Sequence, residues 1–235
     1  MTEANIQLPF TREEYQRRLA KTRAAMQDKG IELLIVTDPS NMASLTGYDG
    51  WSFYVHQCVL LPLEGDPYWY GRGQDVNGAK RTVYMQEDHL IGYPDFYVQS
   101  PVRHPMDYLS KEVIAAHGWE KMTIGVEMDN YYFSAKAFAS LQAHLPAARF
   151  VDATALVNWQ RAVKSAQEIE YMRVAARIVE SMHTRIYERI EPGMRKCDLV
   201  AEIYDSGIRG VGNFGGDYPA IVPLLPSGKD ASAPH

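Results

Sequence analysis

Apolar and polar residues follow two periods along this chain, and the places where the period changes mark its elements. Tyr15, Leu19, Thr22 and Met26 recur at steps of three and four, one face of a helix. Thr11 can cap that helix, Glu14 completes a capping box, Phe10 can staple onto Tyr15, and Gly30 ends it. The nearly continuous apolar run 31–36 predicts a buried strand, and the turn at 37–40 lets Asp38 or Ser40 cap a short helix over 41–45. Residues 53–63, rich in aromatic and β-branched side chains, predict a strand that turns at 64–67 and returns from Tyr68. Helices are expected over 75–84, 105–117 and 131–145, a short strand over 122–126 and an edge strand over 149–151. Strands alternating with helices define an α/β layer.

The character changes near residue 160. Residues 165–190 read as one long amphipathic helix, opened by a second capping box of Ser165 with Glu168. Its stripe is Ile169, Met172, Ala176, Val179, His183, Ile186 and Ile190, and Glu191-Pro192-Gly193 breaks it. A helix over 196–209 leads into the glycine-rich stretch 210–216, and the chain ends on Ala-Ser-Ala-Pro-His, which reads as a cut rather than a finished domain. The expected division is 1–158 as a compact α/β domain and 159–235 as the incomplete start of a second.

Composition narrows the class. With 46% apolar and 23% charged residues and a formal charge of −5, the chain is an ordinary globular sequence without basic runs, which argues against nucleic acid as a partner. Apolar runs such as 59–63 are too short to span a bilayer, and the N-terminus has no signal-peptide pattern. Cys58 and Cys197 have neither metal-type nor disulfide-type spacing, in keeping with reduced thiols and a cytoplasmic location. No Walker loop, Gly-x-Ser-x-Gly elbow or His-Glu-x-x-His is present, and Gly71-x-Gly73 is not a dinucleotide fingerprint.

Arg161-x-x-Lys164-Ser165-x-x-Glu168-Ile169-x-x-Met172-Arg173-x-Ala175 resembles the opening of the catalytic domain in the creatinase/aminopeptidase P/prolidase (peptidase M24-like) superfamily. Ile190-Glu191-Pro192-Gly193-Met194 is similar to the break after that family's first long helix. Tyr218-Pro219-Ala220-Ile221-Val222, Ser227-Gly228 and Ala233-Pro234-His235 are similar to its next strand and the loop with its first catalytic histidine. The resemblance implies a creatinase-type N-terminal domain of ribonuclease-H-like arrangement, then the truncated start of a pita-bread catalytic domain. Gly47-Tyr48-Asp49-Gly50-Trp51-Ser52-Phe53-Tyr54-Val55-His56-Gln57 and residues 71–79 look like the ectoine-hydrolase branch, which opens the cyclic amidine ring of ectoine. The alternatives are a metal-dependent Xaa-Pro aminopeptidase or prolidase, and a pita-bread relative that only binds partners.

By the resemblance, His235 matches the catalytic acid/base, a role suited to a side chain that titrates near neutrality. Without the family, a terminal histidine is a solvated end. Tyr48, Asp49, Trp51, Tyr54 and His56 suit a delocalised cation, which favours aromatic faces beside a carboxylate. The plainer reading makes Trp51, Phe53 and Val55 one face of a strand packed on the core. Gln74 and Asp75 are expected at a polar rim of the same pocket, or as solvated helix-start residues with Asp75 capping. In this family one subunit's N-terminal domain lines its neighbour's site, which implies a homodimer acting on a small-molecule substrate. The family's metal ligands would lie beyond His235, so no cofactor is assigned to this chain and its metal dependence is left open.

Overall fold

Six short strands form one mixed sheet in the computed structural model, which describes residues 6, 8–217 and 221–233. They are β1 (Leu33–Val36), β2 (Cys58–Pro62), β3 (Tyr68–Arg72), β4 (Leu90–Tyr93), β5 (Thr123–Val126) and β6 (Arg149–Asp152), in the order β4-β3-β2-β1-β5-β6. β1 runs antiparallel to β2 and parallel to β5; β2–β3 is antiparallel, while β3–β4 and β5–β6 are parallel.

The unbroken apolar run of β1 follows from its central place. Successive side chains alternate faces, and both faces are covered. Leu34 and Val36 join Val59, Leu61 and Trp69 in a core beneath α1 (Arg12–Asp28), α2 (Pro39–Thr46), α3 (Val76–Thr82) and α6 (Leu156–Gln160). Leu33 and Ile35 join Cys58, Leu60, Tyr70, Ile124 and Val126 in the opposite core. That second core is closed by α4 (Pro105–Tyr108), which continues as π-helical turns over Leu109–Ile114, and by α5 (Ala135–His144). Each fully buried leucine or isoleucine contributes about 1.5–3 kcal/mol to holding these layers together.

The expected punctuation is largely present. Thr11 Oγ1 accepts from the Glu14 backbone N–H at 3.3 Å, Phe10 and Tyr15 pack edge to face at 6.1 Å, and Asp38 caps α2 by accepting from the Asn41 N–H at 3.0 Å. The Glu14 carboxylate turns to Arg17 and Arg18.

Three features depart from the sequence pattern. Residues 53–57 are irregular, and β2 begins only at Cys58, because its pairing with β3 ends at Cys58↔Tyr70. Gly71 and Arg72 pair instead with β4, a four-residue strand too short and glycine-interrupted to stand out. The third is α6, whose Leu156 and Val157 are buried in the first core.

By contact the chain divides into two units, 1–163 and 164–235. In the second, α7 (Ala166–Arg189) opens on the Ser165–Glu168 capping box and folds back on α8 (Lys196–Arg209). Leu199 and Ile203 of α8 are buried, Arg185 pairs with Glu202 at 2.8 Å, and the Ser181 and Ser206 hydroxyls meet at 3.1 Å. No residue of α7 is fully buried, and Met172, Val179 and His183 lie exposed. Among the described residues, no helix is long and apolar enough to cross a membrane.

Candidate functional site

The segment that follows α2 is anchored at both ends and projects between them. Gly47 ends α2 at φ +83°, and a Cβ there would meet the Thr82 carbonyl at 2.8 Å and the Tyr15 hydroxyl at 2.9 Å, so only glycine fits. Tyr48 then turns into the first core, its ring 5.2 Å from that of Trp69. Its hydroxyl donates to Gln57 Oε1 at 2.9 Å, closing the base of the loop. Burial, with the nearby Asp75 charge second, pushes the Tyr48 phenol up to about 12. Tyr48, expected at the substrate, thus has its ring in the first core and its hydroxyl on Gln57.

Between these anchors the aromatics face outward. Trp51, Phe53 and Tyr54 are 54%, 78% and 50% exposed, with successive ring centroids 5.7 and 5.5 Å apart. A strand face packed on the core would bury Trp51 and Phe53; only Val55 goes inward, its N–H donating to Ser52 Oγ at 3.1 Å. Asp49 is exposed beside them. The arrangement offers flat π faces and a carboxylate to solvent, as a delocalised cation requires.

Tyr54 and His56 also line a cleft of about 110 Å³ shared with Tyr93, Gln99, Arg103 and His104. The His56 and His104 rings lie 4.5 Å apart, and the Tyr93 hydroxyl donates to the His56 carbonyl at 2.9 Å. His104 Nδ1 accepts from the Met106 N–H at 3.2 Å as the cap of α4, which leaves the proton of the neutral ring on Nε2. Burial lowers the pKa of His56; burial, then the His56 charge, lowers that of His104 to about 4. Both rings are neutral near pH 7.

Gln74 is exposed on the turn after β3, outside the cleft lining. Asp75, half-buried, makes no side-chain capping bond to α3. Its charge instead acts on the Tyr48 and Tyr93 phenols, second to burial in raising both. His235 and Pro234, with Tyr218-Pro219-Ala220, lie outside the described residues.

One polar centre escaped the sequence reading. Glu127, at the end of β5 and 2% exposed, accepts from the Thr37 N–H at 2.6 Å and the Asp38 N–H at 2.9 Å through Oε2, and from Asn41 Nδ2 at 2.6 Å through Oε1. Asn41 in turn reaches Asn158 Oδ1 at 2.9 Å and accepts from Arg161 at 2.6 Å. Burial above all raises the Glu127 pKa, against the lowering effect of these bonds. Its one local sign is a carboxylate straight after an apolar strand, while its partners are some ninety residues away.

Residues 18–163 match the Creatinase/Prolidase N-terminal domain, and residues 170–235 match metallopeptidase family M24. The chain belongs to the creatinase/prolidase family of hydrolases. It is similar to the ectoine hydrolase of Halomonas elongata, with 62% identity over 98% of this chain and 59% of that protein. It is also similar to an uncharacterized hydrolase/peptidase, y4tM, of Sinorhizobium fredii, with 42% identity over 97% of this chain and 58% of the relative. A crystal structure of recombinant prolidase from Thermococcus sibiricus shares the fold, with a TM-score of 0.74 and 20% identity over 94% of this chain and 56% of that one. The chain thus spans about three-fifths of the length of these relatives. Among the described residues no group of three or more His, Cys, Asp or Glu side chains is placed to hold a metal ion.

Proposed function

We propose that this protein hydrolyses a C–N bond in a small cyclic amidine, ectoine, to give N-acetyl-diaminobutyrate. The observation that carries this reading is the 62% identity to an ectoine hydrolase along nearly the whole chain. The exposed loop supports it: Trp51 and Tyr54 present π faces, and Asp49 a carboxylate, to an amidinium whose charge is spread over two nitrogens. His56, Gln74 and Asp75 complete the proposed substrate-facing set, and Tyr48 supports the loop from beneath.

In the proposed reaction water adds to the amidine carbon, and His235 moves the proton that the departing ring nitrogen needs. The proposed domain plan is a creatinase-type N-terminal domain over 1–158 and the opening of a pita-bread catalytic domain over 159–235. The central strand β1, antiparallel to β2 and parallel to β5, supports the ribonuclease-H-like assignment of the first. We further propose a cytoplasmic homodimer in which the Trp51 loop lines the partner's site. Size-exclusion chromatography with light scattering, on a chimera of this chain with the rest of the Halomonas protein, tests the assembly: a dimer is expected, and a fully active monomer would refute the shared site.

A further inference from the structure

The cleft beside His56 contains three groups that the proposed function leaves unused: Ser100, Arg103 and His104. The loop that carries them is held in an unusual shape. Gln99 adopts φ +49°, a left-handed conformation that a non-glycine residue takes at a cost of about 1 kcal/mol or more. Directly after it, Ser100 Oγ accepts from the Val102 and Arg103 N–H groups at 3.4 and 3.2 Å, fixing the turn. The Arg103 guanidinium lies over the Phe96 ring, 5.2 Å from its centroid, and Arg103 is one of the residues that line the cleft.

Arg103 has no carboxylate partner among the described residues. The acids nearby are engaged elsewhere: Asp95 binds Arg72 at 2.8 and 3.0 Å, while Asp107 binds Ser140 at 2.5 Å and the His104 N–H at 2.8 Å. No acidic side chain lines the cleft, so its one full charge is positive. Its other polar groups are donors or can become so: the Nε2–H of neutral His104, one N–H of neutral His56, and the hydroxyls of Ser100 and Tyr54.

We propose that Arg103, His104, His56 and Ser100 form a binding site for a small carboxylate. Arginine recognises a carboxylate through two parallel N–H bonds, and the neutral imidazoles add donors without a second charge. The volume of about 110 Å³ admits a short-chain acid, being close to that of four waters at ~30 Å³ each. The carboxylate has two possible sources, the substrate's own carboxylate or a free metabolic acid. The site rests on the proposed function only for the first.

Histidine side-chain NMR of the 235-residue chain near neutral pH tests this, with sodium acetate, sodium chloride and ectoine each titrated at constant ionic strength. Acetate is expected to shift the His56 and His104 signals saturably, chloride is not, and Arg103→Gln is expected to weaken acetate binding about tenfold or more. Arg103 is exposed, so the variant should fold, and an unchanged circular dichroism spectrum verifies that. If ectoine moves the same signals and competes with acetate, the substrate supplies the carboxylate; if acetate acts alone, a free acid does. No saturable acetate shift, or equal affinity in Arg103→Gln, overturns the site. Acetate binding by this chain, together with failure of its chimera with the Halomonas elongata protein to open ectoine, would leave this site standing and remove the proposed function.

Discussion

The Tyr48 hydroxyl donates to Gln57 Oε1 at 2.9 Å, so one buried bond joins the two ends of the loop that carries Trp51, Phe53 and Tyr54. Gln57 Nε2 is itself buried without a partner, which makes the junction sensitive to any further loss. Tyr48→Phe leaves Gln57 Oε1 unsatisfied as well, and a stability loss of about 1–3 kcal/mol is expected in denaturant titration. Gly50→Ala strains the same junction, since a Cβ at Gly50 would sit 2.6 Å from the Tyr48 ring. Wild-type midpoints for both variants would show that the loop does not depend on this anchor.

Trp51→Ala separates surface recognition from packing. The side chain is 54% exposed, so its removal should cost less than about 1 kcal/mol of stability. In a chimera of this chain with the rest of the Halomonas protein it should raise KM for ectoine by the equivalent of about 1–2 kcal/mol, the scale of a desolvated cation–π contact. Melting temperature and KM on the same variant decide between the roles. A loss of stability on the core scale with KM unchanged would assign Trp51 to packing.

Acid should destabilise the fold through the histidine pair. The folded-state pKa of His104, about 4, lies below its ordinary 6.5, and burial lowers His56 in the same direction. Between those values the unfolded chain binds protons that the folded chain does not. Stability is therefore complete above about 6.5 and falls as the pH drops toward 4. His104 is only half-buried, so its share is on the order of 1–2 kcal/mol after solvent screening. His104→Asn keeps an acceptor at the α4 cap and should flatten part of this slope. Urea midpoints across the range provide the check, and equal slopes in both proteins would count against it.

Glu127 and Asn41 form the other buried polar contact with consequences. Glu127→Gln replaces an acceptor-only group with one that must turn an amide N–H toward existing donors. A loss of about 1–3 kcal/mol is expected. Because the folded-state pKa of Glu127 is raised, its contribution is complete below the ordinary carboxylate value and is lost as the pH rises through the folded value. The variant should lose that dependence. Chemical denaturation at mildly acidic and neutral pH measures both effects, and a neutral substitution would mean that the network does not secure the 37–41 turn.

What the sequence reveals and what it hides divide by range. Caps and helical stripes are local, so Thr11, Asp38 and Ser165 could be read directly, and the continuous apolar run of β1 announced a strand covered on both faces. The end of β2 depends on where β3 stops pairing, so the aromatic content of 53–57 suggested a strand where the fold makes a loop. The exposed rings of Trp51 and Tyr54 were legible as candidates, whereas Tyr48, identical in type, differs only because Trp69 and Gln57 receive it. Arg103, His104 and Glu127 carried no pattern of their own; their significance comes from partners distant along the chain.

The most direct test of the account is turnover by a chimera that joins these 235 residues to the portion of the Halomonas elongata protein beyond the matched 59%. Ectoine and an Xaa-Pro dipeptide are supplied to the folded protein, and the products are followed by NMR. Ring opening of ectoine to an N-acetylated diamino acid, with the dipeptide left intact, is the predicted result, and His235→Ala should reduce that rate by roughly 100-fold or more. Cleavage of the dipeptide with ectoine untouched would contradict the account.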